Sequence, residues 1–271
     1  MTRHIRPAAA LAALALLSAG TTTAAAAQGV LDRLRQAANI ARSLLPISTA
    51  KEVEIGRGIA ATIAGRYPVS TDATLTRYVN LVGLTVASQD PRPDITYRFA
   101  VLETPTVNAY AAPGGYVFIT RGALGLIENE AELAGVLAHE VGHVNERHVI
   151  EQIRKSDTMR QVRDQLDIKG STLDKVVGTG TDALFMGLSR GDELQADSCG
   201  IVYAAAAGYD PGGLAAFIAR LNSHAGEGAL ADFFATHPKP DERIERLHAI
   251  ARREGLTTGV KLAERYRENV K

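Results

Sequence analysis

The sequence predicts an α+β fold, mostly helical with one small β-sheet. Three observations carry this: apolar residues at helical spacing up to Val86, a switch to alternation after Pro93, and a return to helical spacing from Asn129. With 46% hydrophobic residues among 271, the chain has enough apolar side chains for a sizeable core.

The elements follow in order. Residues 1–27 predict a signal peptide: Arg3 and Arg6, an apolar run from Ala8 to Leu17, then Ala24-Ala25-Ala26-Ala27 before Gln28. The apolar run is shorter than the roughly 20 residues of a membrane span, and no cysteine nearby offers a lipid attachment point. Residues 28–49 predict a helical arm stopped by Pro46, and 50–252 the main domain, with a tail over 253–271. Inside the domain, helices are expected over Ser48 to Arg66 and from the Thr71-Asp72 cap to Val86. Strands are expected from Ile95 to Leu102, Val107 to Ala111 and Tyr116 to Thr120, the last two joined by the Pro113-Gly114-Gly115 turn. A long buried helix is predicted from Asn129 to about Ile153. A polar connection holding a short helix follows over Lys155 to Gly180, then helices through Leu188, Ala207 and Leu221, and a last one capped by Asp241.

Charge narrows the function classes. Lys plus Arg and Asp plus Glu stand at 30 each with no basic run, which excludes a nucleic-acid footprint. The single cysteine, Cys199, lies among small and apolar residues and reads as a packed side chain without an internal disulfide partner.

The long helix carries His139-Glu140-Val141-Gly142-His143, an HExxH motif. Residues four apart share one helix face, so both imidazoles can bind one Zn²⁺. Glu140 then stands beside the metal without ligating it, placed to take a proton from a zinc-bound water and return it to the leaving amine. An unliganded histidine pair plus a carboxylate on so apolar a helix would carry a large desolvation cost, which favours the metal reading over coincidence. A catalytic zinc needs a third protein ligand, and Glu193 is the candidate; Asp197, four residues on, shares its face and can orient a ligand histidine. His148 is the competitor, but it lies nine residues after His139 and no glycine turns the chain back, so it reads as structural.

These residues, with three other blocks in order, resemble metallopeptidase family forty-eight, which includes the CAAX prenyl endopeptidase, HtpX, Oma, BepA and LoiP. The blocks are Asn108-Ala109-Tyr110-Ala111 with Pro113-Gly114-Gly115, Leu137 to His143, Ser189 to Asp197, and Thr236-His237-Pro238 with Arg243. The resemblance implies a zincin-type domain of the gluzincin class with one Zn²⁺ per subunit, held by His139, His143 and Glu193, with Asp197 and Arg243 behind them. It implies that the strand with Asn108, Ala109, Tyr110 and Ala111, and the turn with Gly114 and Gly115, form a substrate-binding edge. It also makes His237 a site histidine, either an inhibitory fourth ligand or a donor to the oxyanion.

Unlike HtpX and the prenyl endopeptidase, the chain shows no long membrane-spanning segment between the strands and its C-terminus; unlike BepA, it shows no tetratricopeptide array after residue 252. The resemblance is therefore strongest to the soluble periplasmic members. The expected function is zinc endopeptidase action on misfolded or misassembled envelope proteins, with peripheral membrane association as a further expectation. The alternative is a zinc-binding, chaperone-like assembly factor with gated proteolysis.

Overall fold

The computed structural model describes residues 47–156, 170–223, 233, 236–237 and 240–270, all within one unit spanning Ile47–Lys271. The expected signal peptide and most of the expected arm lie outside the described residues. The first helix, α1 (Thr49–Arg66), is capped by the Ser48 side chain and ends at Tyr67, which the following Pro68 keeps extended. Asp72 accepts from Leu75 N at 3.0 Å to start α2 (Ala73–Ala87).

Three strands follow: β1 (Arg98–Leu102), β2 (Ala109–Ala112) and β3 (Tyr116–Thr120). The sheet order is β1-β3-β2, with β1 parallel and β2 antiparallel to β3, so β2 is an edge by topology. Gly114 and Gly115 adopt φ +73° and +91° in the β2–β3 turn, a backbone that favours glycine. Both faces of the sheet are buried. Ala109, Ala111, Val117 and Ile119 face one core beneath α2 and the long central helix; Tyr110, Ala112 and Phe118 face a second core beneath α1. The alternation predicted for these strands is therefore apolar on both sides.

The remaining helices are α3 (Arg121–Leu126), α4 (Glu130–Asn145), α5 (His148–Lys155), α6 (Ser171–Met186), α7 (Arg190–Ala206), α8 (Gly213–Ser223), α9 (Pro240–Arg253) and α10 (Ala263–Val270). The helix predicted to run unbroken to Ile153 is two helices. Arg147 takes a left-handed conformation, φ 58°, between α4 and α5. It is held there by an ion pair of its Nε with the fully buried Glu52 at 2.9 Å. Glu52 also accepts from Arg92 at 2.9 and 3.1 Å and from Gly114 N at 3.4 Å, so one carboxylate ties α1, the hairpin turn and the end of α4 together. The polar connection is also more helical than predicted. From Ser171 the chain is α6, which buries Val176 and Leu184 and lets Gly180 approach Ile59 of α1. Beyond residue 253, Tyr266 of α10 is fully buried and donates to Leu124 O at 2.7 Å, so part of the expected tail packs into the core.

Candidate metal centre

Helices α4 and α7 build the centre because glycines let them approach closely. A Cβ on Gly142 would stand 2.9 Å from the Cys199 Cβ, and one on Gly200 3.1 Å from the His139 backbone. Asn129 caps α4, and a Ser189–Asp192 capping box starts α7 three residues before Glu193. The two i, i+4 pairs, His139/His143 and Glu193/Asp197, therefore face each other across the contact.

His139 Nε2 and His143 Nε2 are 3.0 Å apart. Glu193 lies 3.6 Å from the first and 3.4 Å from the second, and His237 Nδ1 is 2.8 Å from Glu193 Oε2. The four residues are buried, and one ligand atom from each falls within 4.8 Å of the others, so the group could hold a metal ion. Zinc bonds of about 2.0–2.2 Å in tetrahedral geometry separate neighbouring donors by about 3.3 Å, so the spacings among His139, His143 and Glu193 fit. Glu193 Oε1 is buried without a hydrogen bond, an acceptor with a lone pair to give. Two imidazoles and a carboxylate are also a donor set suited to zinc.

Behind the donors, Asp197 Oδ1 lies 3.0 Å from His139 Nδ1, though not in hydrogen-bond alignment, and Arg243 clamps Asp197 with bonds of 2.8 and 2.7 Å. Arg243 also reaches Glu193 Oε2 at 3.4 Å. Electrostatics follow from burial and these neighbours. Burial pushes His139 down to about 4, which keeps its imidazole neutral as a metal ligand must be. Burial pushes Glu140 up to about 7. Asp197 is also penalised by burial, yet the Arg243 charge and the nearby His139 bring it down to about 2. Glu193 is lowered well below the usual carboxylate range because the His237 charge and its neighbouring histidines outweigh the burial that opposes them.

The structure brings His139, Glu140, His143, Glu193, Asp197, His237 and Arg243 into one buried group. Glu140 borders a narrow cleft lined also by Asn108, Ala109, Phe217, Phe233 and His237. Asn108 and Ala109 thus reach the centre, whereas Tyr110 and Ala111 belong to opposite cores and Gly114 and Gly115 lie at the far turn. All four β2 residues are buried, and the Ala109 N–H already donates to Asn108 Oδ1 at 2.9 Å. Asn108 Nδ2 in turn donates to Thr236 Oγ1 at 3.4 Å, linking β2 to the block that carries His237.

Sequence reasoning gave no site role to His148, Gln195 or Glu146. His148 Nδ1 is 2.9 Å from His143 Nδ1, a contact created by the left-handed turn at Arg147 and invisible to helical spacing. Cys199, expected as a buried packing residue, is half-buried, with its thiol pushed up to about 11 by burial.

Comparison with known proteins is consistent with this geometry. Residues 73–251 match the profile of peptidase family M48. The mitochondrial metalloendopeptidase OMA1 of Arabidopsis thaliana is 36% identical over 155 residues, 56% of this chain and 31% of that protein. The beta-barrel assembly-enhancing protease of Escherichia coli K12 is 26% identical over 210 residues, 73% of this chain and 43% of that protein. OMA1 of Schizosaccharomyces pombe is 30% identical over 177 residues, 64% and 52% of the two chains. The aligned part thus spans about a third to a half of the curated relatives' length.

Proposed function

Because the chain belongs to peptidase family M48, we propose that it is a zinc-dependent metalloendopeptidase, with His139, His143 and Glu193 as ligands and Glu140 as general base. The observation that carries this reading is the buried triad of donors at tetrahedral spacing, with an unbonded carboxylate oxygen among them. When bound there, zinc supplies Lewis acidity and brings the pKa of a water to about 7.

The chain's own residues do the rest. Glu140, pushed by burial towards neutrality, takes the proton of the attacking water and returns it to the leaving amine. A cation in the cluster favours its charged, base-competent form. Asp197, held by the buried Arg243, fixes the His139 ring so that Nε2 faces the other donors. Asn108 and Ala109 border the cleft beside Glu140 and would line the path of a peptide to it. His237, 2.8 Å from Glu193, could supply a fourth donor to a bound metal in a resting state and would then have to give way to substrate.

The named relatives include a beta-barrel assembly-enhancing protease, which motivates misfolded or misassembled envelope proteins as substrates and the periplasm as the compartment. Among the described residues no helix is long and apolar enough to cross a membrane.

The test is cleavage of an unfolded protein by the zinc-loaded chain. Glu140→Gln should keep zinc and fold but lose at least about 10²-fold in turnover. Full turnover in that variant would reject the mechanism. His237→Ala should raise turnover; a loss of about 10²-fold with zinc retained would instead make it an oxyanion donor.

A further inference from the structure

The polarity of hydrogen bonds leading away from His143 is fixed from its far end. Glu146 is a carboxylate and, ionised, can only accept, so the Gln195 amide nitrogen it contacts is the donor. Gln195 therefore presents Oε1 to His148 Nε2 at 3.4 Å, and that nitrogen must carry the proton. In the neutral ring, His148 Nδ1 is then the acceptor, and the His143 Nδ1 lying 2.9 Å away must be protonated. Neutral His143 is left with a bare Nε2, the atom that faces His139 and Glu193 at 3.0 and 3.4 Å. Asn145 Nδ2 also donates to Glu146, at 2.7 Å, and helps hold the terminal acceptor.

From this chain we infer that His148 is a positioning residue for the metal ligand His143: together with Gln195 and Glu146 it selects the tautomer and ring orientation that bind zinc. The inference rests on the zinc reading given above. It differs from a packing role because the direction of every bond matters. Burial alone would ask only for a side chain of imidazole size. The backbone supports the arrangement. Were α4 to continue, a residue five positions after His143 would face away from it, and only the left-handed Arg147, paired with buried Glu52, brings His148 back.

The two ligand histidines are then held differently. His139 leans on a charged Asp197–Arg243 pair, His143 on neutral groups ending in a distant carboxylate. A neutral partner orients the ring without adding a negative charge next to the metal.

The experiment compares His148→Phe, which keeps ring volume but cannot accept, with His148→Gln, which restores an acceptor oxygen. Zinc affinity is read by chelator competition, and the His143 Nδ1–H signal by ¹H–¹⁵N NMR of the zinc-loaded protein. The expected result is a Kd weakened about 10- to 100-fold in the Phe variant with loss of the protected Nδ1–H signal, and recovery of both in the Gln variant. If the Phe variant binds zinc like the wild type and retains the signal, or if the Phe and Gln variants are impaired equally with the same fall in metal-free Tm, His148 is only a packing residue and the inference is overturned. A wild-type chain that binds no zinc overturns the proposed function itself, and this inference with it.

Discussion

The two ends of α4 each bury a carboxylate network, and they differ in how far the acceptors are satisfied. At the N-terminal end Glu130 receives Tyr209 and Arg265 on Oε1, and Tyr78 at 2.8 Å and Arg265 at 2.6 Å on Oε2. Every contact is a donor meeting an acceptor, and the group locks α10 and α2 to α4. At the other end Glu193 Oε1 has no hydrogen bond, and imidazole nitrogens face one another at 3.0 Å where at most one proton fits between them. Both carboxylates are shielded from solvent, but only the first has its oxygens fully paired. A saturated buried carboxylate holds a fold together, whereas a cluster of bare donor atoms is an arrangement a cation completes.

Neutralising one carboxylate at each end of α4 should separate the two roles most clearly. Glu193→Gln should weaken zinc binding by at least about 10²-fold while lowering the metal-free Tm less than Glu130→Gln does, because its Oε1 makes no hydrogen bond in the fold and only Oε2 is held, by His237 and Arg243. Chelator competition and calorimetry read the two quantities. Glu130→Gln should do the reverse. It should lower stability by about 2 kcal/mol, a figure that allows for solvent screening of the half-exposed Arg265, and leave zinc affinity unchanged. Equal effects of both variants on zinc would dissolve the distinction.

A smaller effect sharpens it through pH. Burial raises the Glu130 pKa, but hydrogen bonds from Arg265, Tyr78 and Tyr209 outweigh it, so the folded-state value lies below the ordinary 4.5. A depressed carboxylate contributes stability above its unfolded pKa and loses it as pH falls through the folded one. The stability gap between wild type and Glu130→Gln should therefore narrow from about pH 5 downwards, as denaturant titrations of the metal-free chain at several pH values would show.

Much of the centre was legible because it is written in helical spacing. His139 and His143, like Glu193 and Asp197, sit four apart on helices whose caps, Asn129 and Ser189, are also plain in sequence. What escaped depends on partners remote in the chain. No local signal marks Arg147 for a positive φ; Glu52 imposes it from α1, and so the break after α4 and the return of His148 went unread. The Ser171 to Gly180 stretch has weak helical propensity, yet it is helical because Val176 and Leu184 find a core against α1. Likewise β2 reads as an edge from its turn, while its burial on both faces comes from α1 before it and α4 after it, partners that its own residues do not announce.

Zinc at this centre would be seen without ambiguity by zinc-edge anomalous diffraction from crystals of the full chain; the triad of donors sets what such a map shows. The triad predicts one zinc peak per chain, about 2.0–2.2 Å from His139 Nε2, His143 Nε2 and a Glu193 oxygen, with Asp197 and His148 behind the ligand rings. Zinc bound elsewhere, or no zinc in protein that cleaves an unfolded substrate, would contradict it.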